Sequence, residues 1–340
     1  MPGPTILPYG NDAIARAATL IGAGEVVAVP TETVYGLAAD GTRADAVARI
    51  YAAKGRPSFN PLIVHVPDVA AARVLAVFND DAEALAAAFW PGPLTLVLPV
   101  RADAGLASAV TAGLPTVAIR VPAHRAMRAL LTATAKPLAA PSANRSGAIS
   151  PTRAKHVAAS LGDAVPLVID DGACPQGLES TIVMGREVLR PGPITAEQVL
   201  AALPATHPGE GRGPVAARSG ERSTSDREVT ETGPRPSPGW ERTAPKVQAP
   251  GQLDSHYAPA KPLRLHATTA EPDEWLIGFG PVAGDDNLSA TGNLHEAAAH
   301  LFTALHRADA APKSRIAVAP IPANGIGQAI NDRLRRAAYR

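Results

Sequence analysis

The chain holds one cysteine, Cys174, in 340 residues. No internal disulfide framework or cysteine-rich metal site can form, and a cytoplasmic setting is expected. An excess of one charge is also missing. Lys plus Arg total 32 against Asp plus Glu 31, so net charge draws the chain neither to nucleic acid nor to a membrane, and any phosphate binding has to come from a local patch. No stretch approaches the roughly 18 uninterrupted apolar residues of a membrane span. The opening MPGPTILPYG lacks the basic and apolar regions of a secretion signal. Without such a signal the sequon Asn144-Arg145-Ser146 carries no weight. The chain also lacks a Gly-x4-Gly-Lys-Ser/Thr loop, a His-Glu-x-x-His helix, a Gly-x-Ser-x-Gly elbow and a Cys-x-x-Cys pair. The common nucleotide and hydrolase templates therefore do not apply, and no covalent nucleophile is indicated.

What is present begins with material for two cores: 46% of the residues are hydrophobic. Ordered patterning over 1–203 suggests one domain with a mixed, twisted sheet and flanking helices. It gives way to a linker over 204–260, rich in Pro, Gly, Ser, Arg and Glu between Thr206 and Pro250. The Gly209-x-Gly211-x-Gly213 run in it follows no strand and opens no helix, so it is given no phosphate-binding role. A smaller α/β domain is expected over 261–340, with strands Leu263–His266, Trp275–Phe279 and Ile316–Ala319 and helices Leu294–His306 and Gly327–Ala338. Gly278 to Ala283 fits a loose dinucleotide fingerprint, but Pro281 and a delayed helix argue against one.

The densest polar pattern runs from Pro30 to His65. Glu25 to Val29 reads as a buried strand stopped by Pro30, which leaves Thr31, Glu32 and Thr33 where open α/β sheets hold ligands. Thr42-Arg43-Ala44-Asp45 has the form of a capping box for a helix over 43–54, ended by Gly55 and Pro57. Lys54 and Arg56 then flank the helix exit, and His65 shares a face with Ile63 on the next strand, Leu62–Val66. Each has a plainer explanation: a lysine at a helix end is favoured by the dipole alone, and a lone strand histidine is often structural.

Farther on, strict alternation in Thr116–Val121 points Thr116, Ala118 and Arg120 one way. An arginine on a covered strand face needs an anion, either a ligand or a salt-bridge partner. Ala139 to Asn144, with Ser146, Gly147 and Ser150, is a short strand opening into hydroxyls and small residues that suit phosphate, although such segments are often only turns. Glu179-Ser180-Thr181 and Leu189-Arg190-Pro191-Gly192 repeat that strand-edge chemistry.

PTETVYGL, KGRPxxNPLxVH, WPGPLTLVL, TVAIRVP, APSANxSG, ESTIV, LRPG and SHYAP together resemble the Sua5/YrdC/YciO family, specifically its two-domain Sua5 type, over most of residues 5–203 and the C-terminal part. The resemblance implies a YrdC-like twisted mixed sheet and a Rossmann-like C-terminal domain. It implies a nucleotidyltransferase that forms L-threonylcarbamoyladenylate and pyrophosphate from L-threonine, bicarbonate and ATP. That product feeds N6-threonylcarbamoyladenosine synthesis in tRNA by a downstream transferase machinery; direct tRNA binding stays open. By the same resemblance Thr33, His65, Arg120, Ala140 (through its backbone) and Ser180 meet threonine. Lys54, Arg56, Asn60, Thr116, Ser142, Ser150, Arg190 and Tyr257 surround ATP, Lys54 and Arg56 serve catalysis, and Mg²⁺ comes with ATP rather than in a protein cage. The competing reading is a noncatalytic RNA-binding module with a basic face of Lys54, Arg56, Arg120, Lys136, Arg145, Arg153 and Lys155.

Overall fold

A computed structural model describes residues 3–204 and 256–339. The linker expected from Thr206 onward, the Gly209-x-Gly211-x-Gly213 run and Ser255 lie outside them. Along the first part the strands are β1 (Thr5–Pro8), β2 (Val27–Pro30), β3 (Tyr35–Asp40), β4 (Ile63–His65), β5 (Leu94–Pro99), β6 (Thr116–Arg120), β7 (Leu138–Ala139), β8 (Leu167–Asp170), β9 (Thr181–Met184) and β10 (Glu187–Arg190). The helices are α1 (Asn11–Gly22), α2 (Ala44–Lys54), α3 (Val69–Leu75), α4 (Asp80–Phe89), α5 (Ser108–Thr111), α6 (Arg125–Thr134), α7 (Ala154–Leu161) and α8 (Ala196–Ala202). The strands form one sheet in the order β1-β8-β2-β3-β7-β4-β6-β5-β9-β10. The sheet mixes parallel pairs (β1/β8, β2/β8, β4/β6, β5/β9) with antiparallel ones. This is the mixed sheet expected from the sequence.

Strand alternation sorts the core into layers. Ala28, Leu37, Val64, Leu96, Ile119 and Val183 face a layer that includes α2, α4 and α7. Val27, Val29, Ala38 and Leu138 face the opposite side, under α1 and α6. Farther across that second face, on β4, β6, β5 and β9, lies a small apolar floor of Ile63, Val97, Ala118 and Ile182. By the same alternation His65, Thr95 and Arg120 continue that floor, so the sheet itself aims them at one place.

The C-terminal part has strands β11 (Leu263–Arg264), β12 (Glu274–Gly278), β13 (Asp286–Asn287) and β14 (Arg315–Val318), all parallel in the order β11-β14-β12-β13. Helices α9 (Leu294–Ala310) and α10 (Gly327–Ala338) pack on it. Its core takes in Val34, Ile149 and Leu178 from the first part together with Tyr257. Gly177, at φ +68°, lies so close to the α9 backbone at Ala298 and Ala299 that a Cβ would collide with it. Residues 3–203 and 256–339 thus pack as one unit. Among the described residues no helix is long and apolar enough to cross a membrane.

Two local expectations are corrected. The Pro30–His65 stretch is not a plain strand-helix-strand unit, because β3 turns back antiparallel to β2 with Pro30 opposite Tyr35. The capping box does not form either: Thr42 Oγ1 donates to Asp40 at 2.6 Å, and Asp45 pairs with Arg43, which occupies the cap position.

Candidate active site

The β2–β3 turn is stitched by its own hydroxyls. Thr31 Oγ1 donates to Val34 O at 2.7 Å and lies 2.8 Å from Thr33 Oγ1. Glu32 between them accepts from Arg120 Nη2 at 2.5 Å and from the amides of Ala123 and His124 at 3.1 and 3.2 Å. Burial alone would raise the Glu32 carboxyl, but the charge and hydrogen bond of Arg120 overcome it and hold the group below its usual range. Arg120 also donates to Thr33 Oγ1 at 2.9 Å and to Gly92 O at 3.1 Å. The salt-bridge explanation of Arg120 is therefore present in the structure, and the same residue lines the cleft.

His65 stands opposite Arg120 in the parallel β4/β6 register. Burial, reinforced by the Arg120 charge, pushes its imidazole down to about 3, so it is neutral at physiological pH, and its buried Nδ1 has no partner. Ser180 Oγ, 2.7 Å from Thr95 Oγ1, enters from the β9 side. Ala140 lines the same cleft, its N–H bonded to Ile63 O at 2.9 Å. Hydroxyls, a neutral imidazole and a guanidinium here face one end of the same cleft.

Beyond this end the cleft is cationic. Arg56 donates to Asn60 O at 3.0 Å, to Asn60 Oδ1 at 2.7 Å and to Pro61 O at 2.7 Å, and burial pulls its guanidinium down to about 10. Lys54 Nζ donates to Ser142 O at 2.6 Å and Asn144 O at 2.5 Å, and burial lowers its pKa well below normal. Arg190 donates to Ser180 O at 3.1 Å and Ser180 Oγ at 3.2 Å. Gly192 lets the Arg190 loop close onto the Glu179–Thr181 backbone, where any side chain would collide. The positive charges of Lys54, Arg56, Arg190 and Arg333 all bear on the buried His256 ring, which burial first and these cations next keep neutral. For Lys54 and Arg56 the bonded acceptors are carbonyl and amide oxygens, not carboxylates. Buried cations held this way are costly, and an anionic ligand offsets that cost.

His256 and Tyr257 close the cleft as a strap. Ala258 N donates to Gly147 O at 2.8 Å, which ties the strap to the loop after Asn144. Tyr257 is 1% exposed and sits at φ 64°. A tyrosine in that backbone region is strained, and such strain clusters at ligand clamps.

The sequence-predicted residues separate into groups. Thr33, His65, Arg120, Ala140, Ser180, Arg56, Ser142, Arg190 and Tyr257 line one cleft. Lys54, Asn60 and Ser150 stand just behind its wall: Lys54 clamps the Ser142–Asn144 loop, Asn60 holds Arg56, and Ser150 Oγ donates to Glu179. Thr116 is not brought there. It shares a strand face with Arg120 but lies about 13 Å away along the strand, and it lines a separate hollow with Val97, Pro99 and Met184. Alternation fixes a face, not a distance. Thr95, His256 and Arg333 were given no site role from sequence, and Glu32 and Glu179 were placed at ligand-holding strand ends without a partner being assigned to either.

Fold and cleft together define an α/β protein with a two-ended cleft, hydroxyls and a neutral imidazole at one end and buried cations at the other, closed by a strap. The Sua5/YrdC/YciO family profile, described as telomere recombination, matches residues 19–192, and the threonylcarbamoyl-AMP synthase C-terminal domain matches residues 194–339. A threonylcarbamoyl-AMP synthase of Bacillus subtilis is 38% identical over 356 residues, covering 98% of this chain and 94% of the relative. One from Pyrococcus abyssi is 34% identical over 347 residues, covering 96% and 94%. The crystal structure of P. abyssi Sua5 complexed with L-threonine superposes with a TM-score of 0.80 at 33% identity, covering 98% of this chain and 97% of that one. The chain belongs to the Sua5/YrdC/YciO family and has its two-domain Sua5 architecture.

Proposed function

We propose that this chain is an L-threonylcarbamoyladenylate synthase, a nucleotidyltransferase acting on L-threonine, bicarbonate and ATP. The observation that carries the reading is the two-ended cleft, with Arg120, Thr33, His65 and Ser180 at one end and Arg56, Arg190 and the Lys54-clamped loop at the other. The threonine amine and carbon dioxide from bicarbonate form a carbamate. Its oxygen attacks the ATP α-phosphate, and pyrophosphate leaves. No protein nucleophile is needed, so positioning and charge neutralisation are the catalytic tasks. Arg120 with Thr33 suits the threonine carboxylate, and Arg56 and Arg190 suit the triphosphate. Mg²⁺ enters on ATP as part of the substrate. The product is a mixed anhydride suited to a downstream tRNA-modifying transferase.

The RNA-module alternative is weakened, because Lys54, Arg56 and Arg120 are buried and cannot present a basic face, whereas Lys136, Arg145, Arg153 and Lys155 are exposed. The deciding measurement is pyrophosphate release from purified protein with each substrate omitted in turn. Release is expected only when threonine and bicarbonate are both present with ATP, and equal release without threonine overturns the reading. Serine is expected to be used about ten- to a hundredfold less well, the scale that loss of one methyl sets. His65→Ala is expected to raise KM for threonine more than KM for ATP; the reverse order moves His65 to the other substrate.

A further inference from the structure

Arg333 comes from α10, 154 positions along the chain from Glu179, yet its side chain is fully buried against the cleft wall. Nε donates to Glu179 Oε2 and Nη1 to Asp332 Oδ2, both at 2.8 Å. Its guanidinium carbon stands 5.1 Å from the centre of the Tyr257 ring, within cation–π range. Nη2 is buried and has no partner among the described residues. The next turn of α10 also touches the strap, since His256 N donates to Arg336 O at 3.3 Å.

The partner carboxylate is the informative part. Glu179 lines the cleft, accepts from Ser150 Oγ and precedes Ser180. A carboxylate beside a triphosphate repels it unless its charge is cancelled. Burial would raise the Glu179 carboxyl, but the charges of Arg333 and Arg190 and the Ser150 hydrogen bond prevail and keep it ionised, so protonation does not remove that charge at neutral pH. An arginine that only stitched two parts together would not also stack on the strap ring and leave a buried donor open.

The geometry points to Arg333 as a positioning residue that the C-terminal part contributes to the nucleotide end: one guanidinium cancels the Glu179 charge at the cleft wall and clamps Tyr257 over the cleft. The charge-cancelling half rests on the nucleotide reading above; the clamping half does not.

Two measurements on the full chain test it. In the ligand-free protein, Arg333→Met is expected to speed amide hydrogen exchange at His256 and Ala258 at least tenfold while amides of β5 and β6 stay as in wild type. A non-hydrolysable ATP analogue is expected to bind Arg333→Met at least tenfold more weakly. Adding Glu179→Gln is expected to restore analogue affinity to within threefold of wild type without restoring amide protection, a split that a purely structural ion pair does not give. Unchanged exchange at the strap, or no recovery of affinity in the double variant, overturns the proposal. If Arg333→Met does not fold, Glu179→Gln alone decides: with Arg333 still charged the analogue is expected to bind about threefold tighter or better, and weaker binding overturns the proposal. Wild-type protein that ignores the analogue overturns the nucleotide reading instead, and the exchange measurement still decides the clamp.

Discussion

Arg120→Met is expected to abolish threonine-dependent turnover and to cost about 3–5 kcal/mol of stability, the scale for removing one partner of a buried ion pair. The pair is well buried, with side-chain exposures of 3% for Arg120 and 8% for Glu32. Truncation leaves the Glu32 carboxylate with only two amide donors, those of Ala123 and His124, and Thr33 loses the guanidinium that orients its hydroxyl. A second substitution, Glu32→Gln, removes the stranded charge and is expected to return part of the stability but none of the turnover.

The loss depends on pH in a definite direction. Because Arg120 holds the Glu32 carboxyl below its ordinary value of 4.5, the pair contributes fully above that unfolded-state value. The contribution disappears as pH falls through the lower folded-state value. The stability gap between wild type and Arg120→Met, followed by denaturant unfolding, should therefore be widest near neutrality and narrow below about pH 4.5. A gap that is constant across this range would mean that the two side chains are not coupled.

This pair also marks how far the sequence could be read. Alternation in TVAIR put Arg120 on a covered face in need of an anion, but the anion is Glu32, from a turn 88 positions away. Its identity followed only once β4 and β6 were paired in register and the β2–β3 turn was closed over them. Strand β3 escaped notice because YGLAAD is buried along its whole length and shows no polar alternation to separate it from its neighbours. Helices α1 and α6 carry weak start signals: Gly10 gives α1 no side-chain cap, and α6 is capped by His124, an uncommon residue there. The two-sided character of the cleft was legible because its residues lie in short motifs at strand ends. The placement of Thr116 and Lys54 was not, because strand length puts Thr116 beyond the cleft lining and the carbonyls of Ser142 and Asn144 hold the Lys54 ammonium. Arg333 was invisible for a further reason: no local pattern in GQAINDRLRRAA distinguishes an arginine facing a distant carboxylate from the basic surface residues beside it.

Arg56→Ala is expected to slow turnover roughly thirtyfold to a thousandfold, equivalent to about 2–4 kcal/mol of transition-state stabilisation, the scale for deleting one preorganised charged donor. Stability should change much less. The substitution strands the Asn60 and Pro61 oxygens that Arg56 now satisfies, a cost of about 1–3 kcal/mol for each group left unpaired in the dry interior. It also removes a buried cation whose acceptors are neutral, and whose depressed pKa of about 10 records that burial disfavours its charge. The two terms oppose each other, so a folded variant is expected, with circular dichroism and unfolding midpoint close to wild type. Arg56→Lys separates charge from geometry: it keeps a cation near the triphosphate but, with one nitrogen, cannot reproduce both the Nε bond to Asn60 O and the Nη2 bonds to Asn60 Oδ1 and Pro61 O, so partial recovery of turnover is expected. If Arg56→Ala folds and turns over like wild type, the guanidinium serves only to hold the 57–61 loop, and the phosphate-binding role passes to Arg190 and the Ser142 loop.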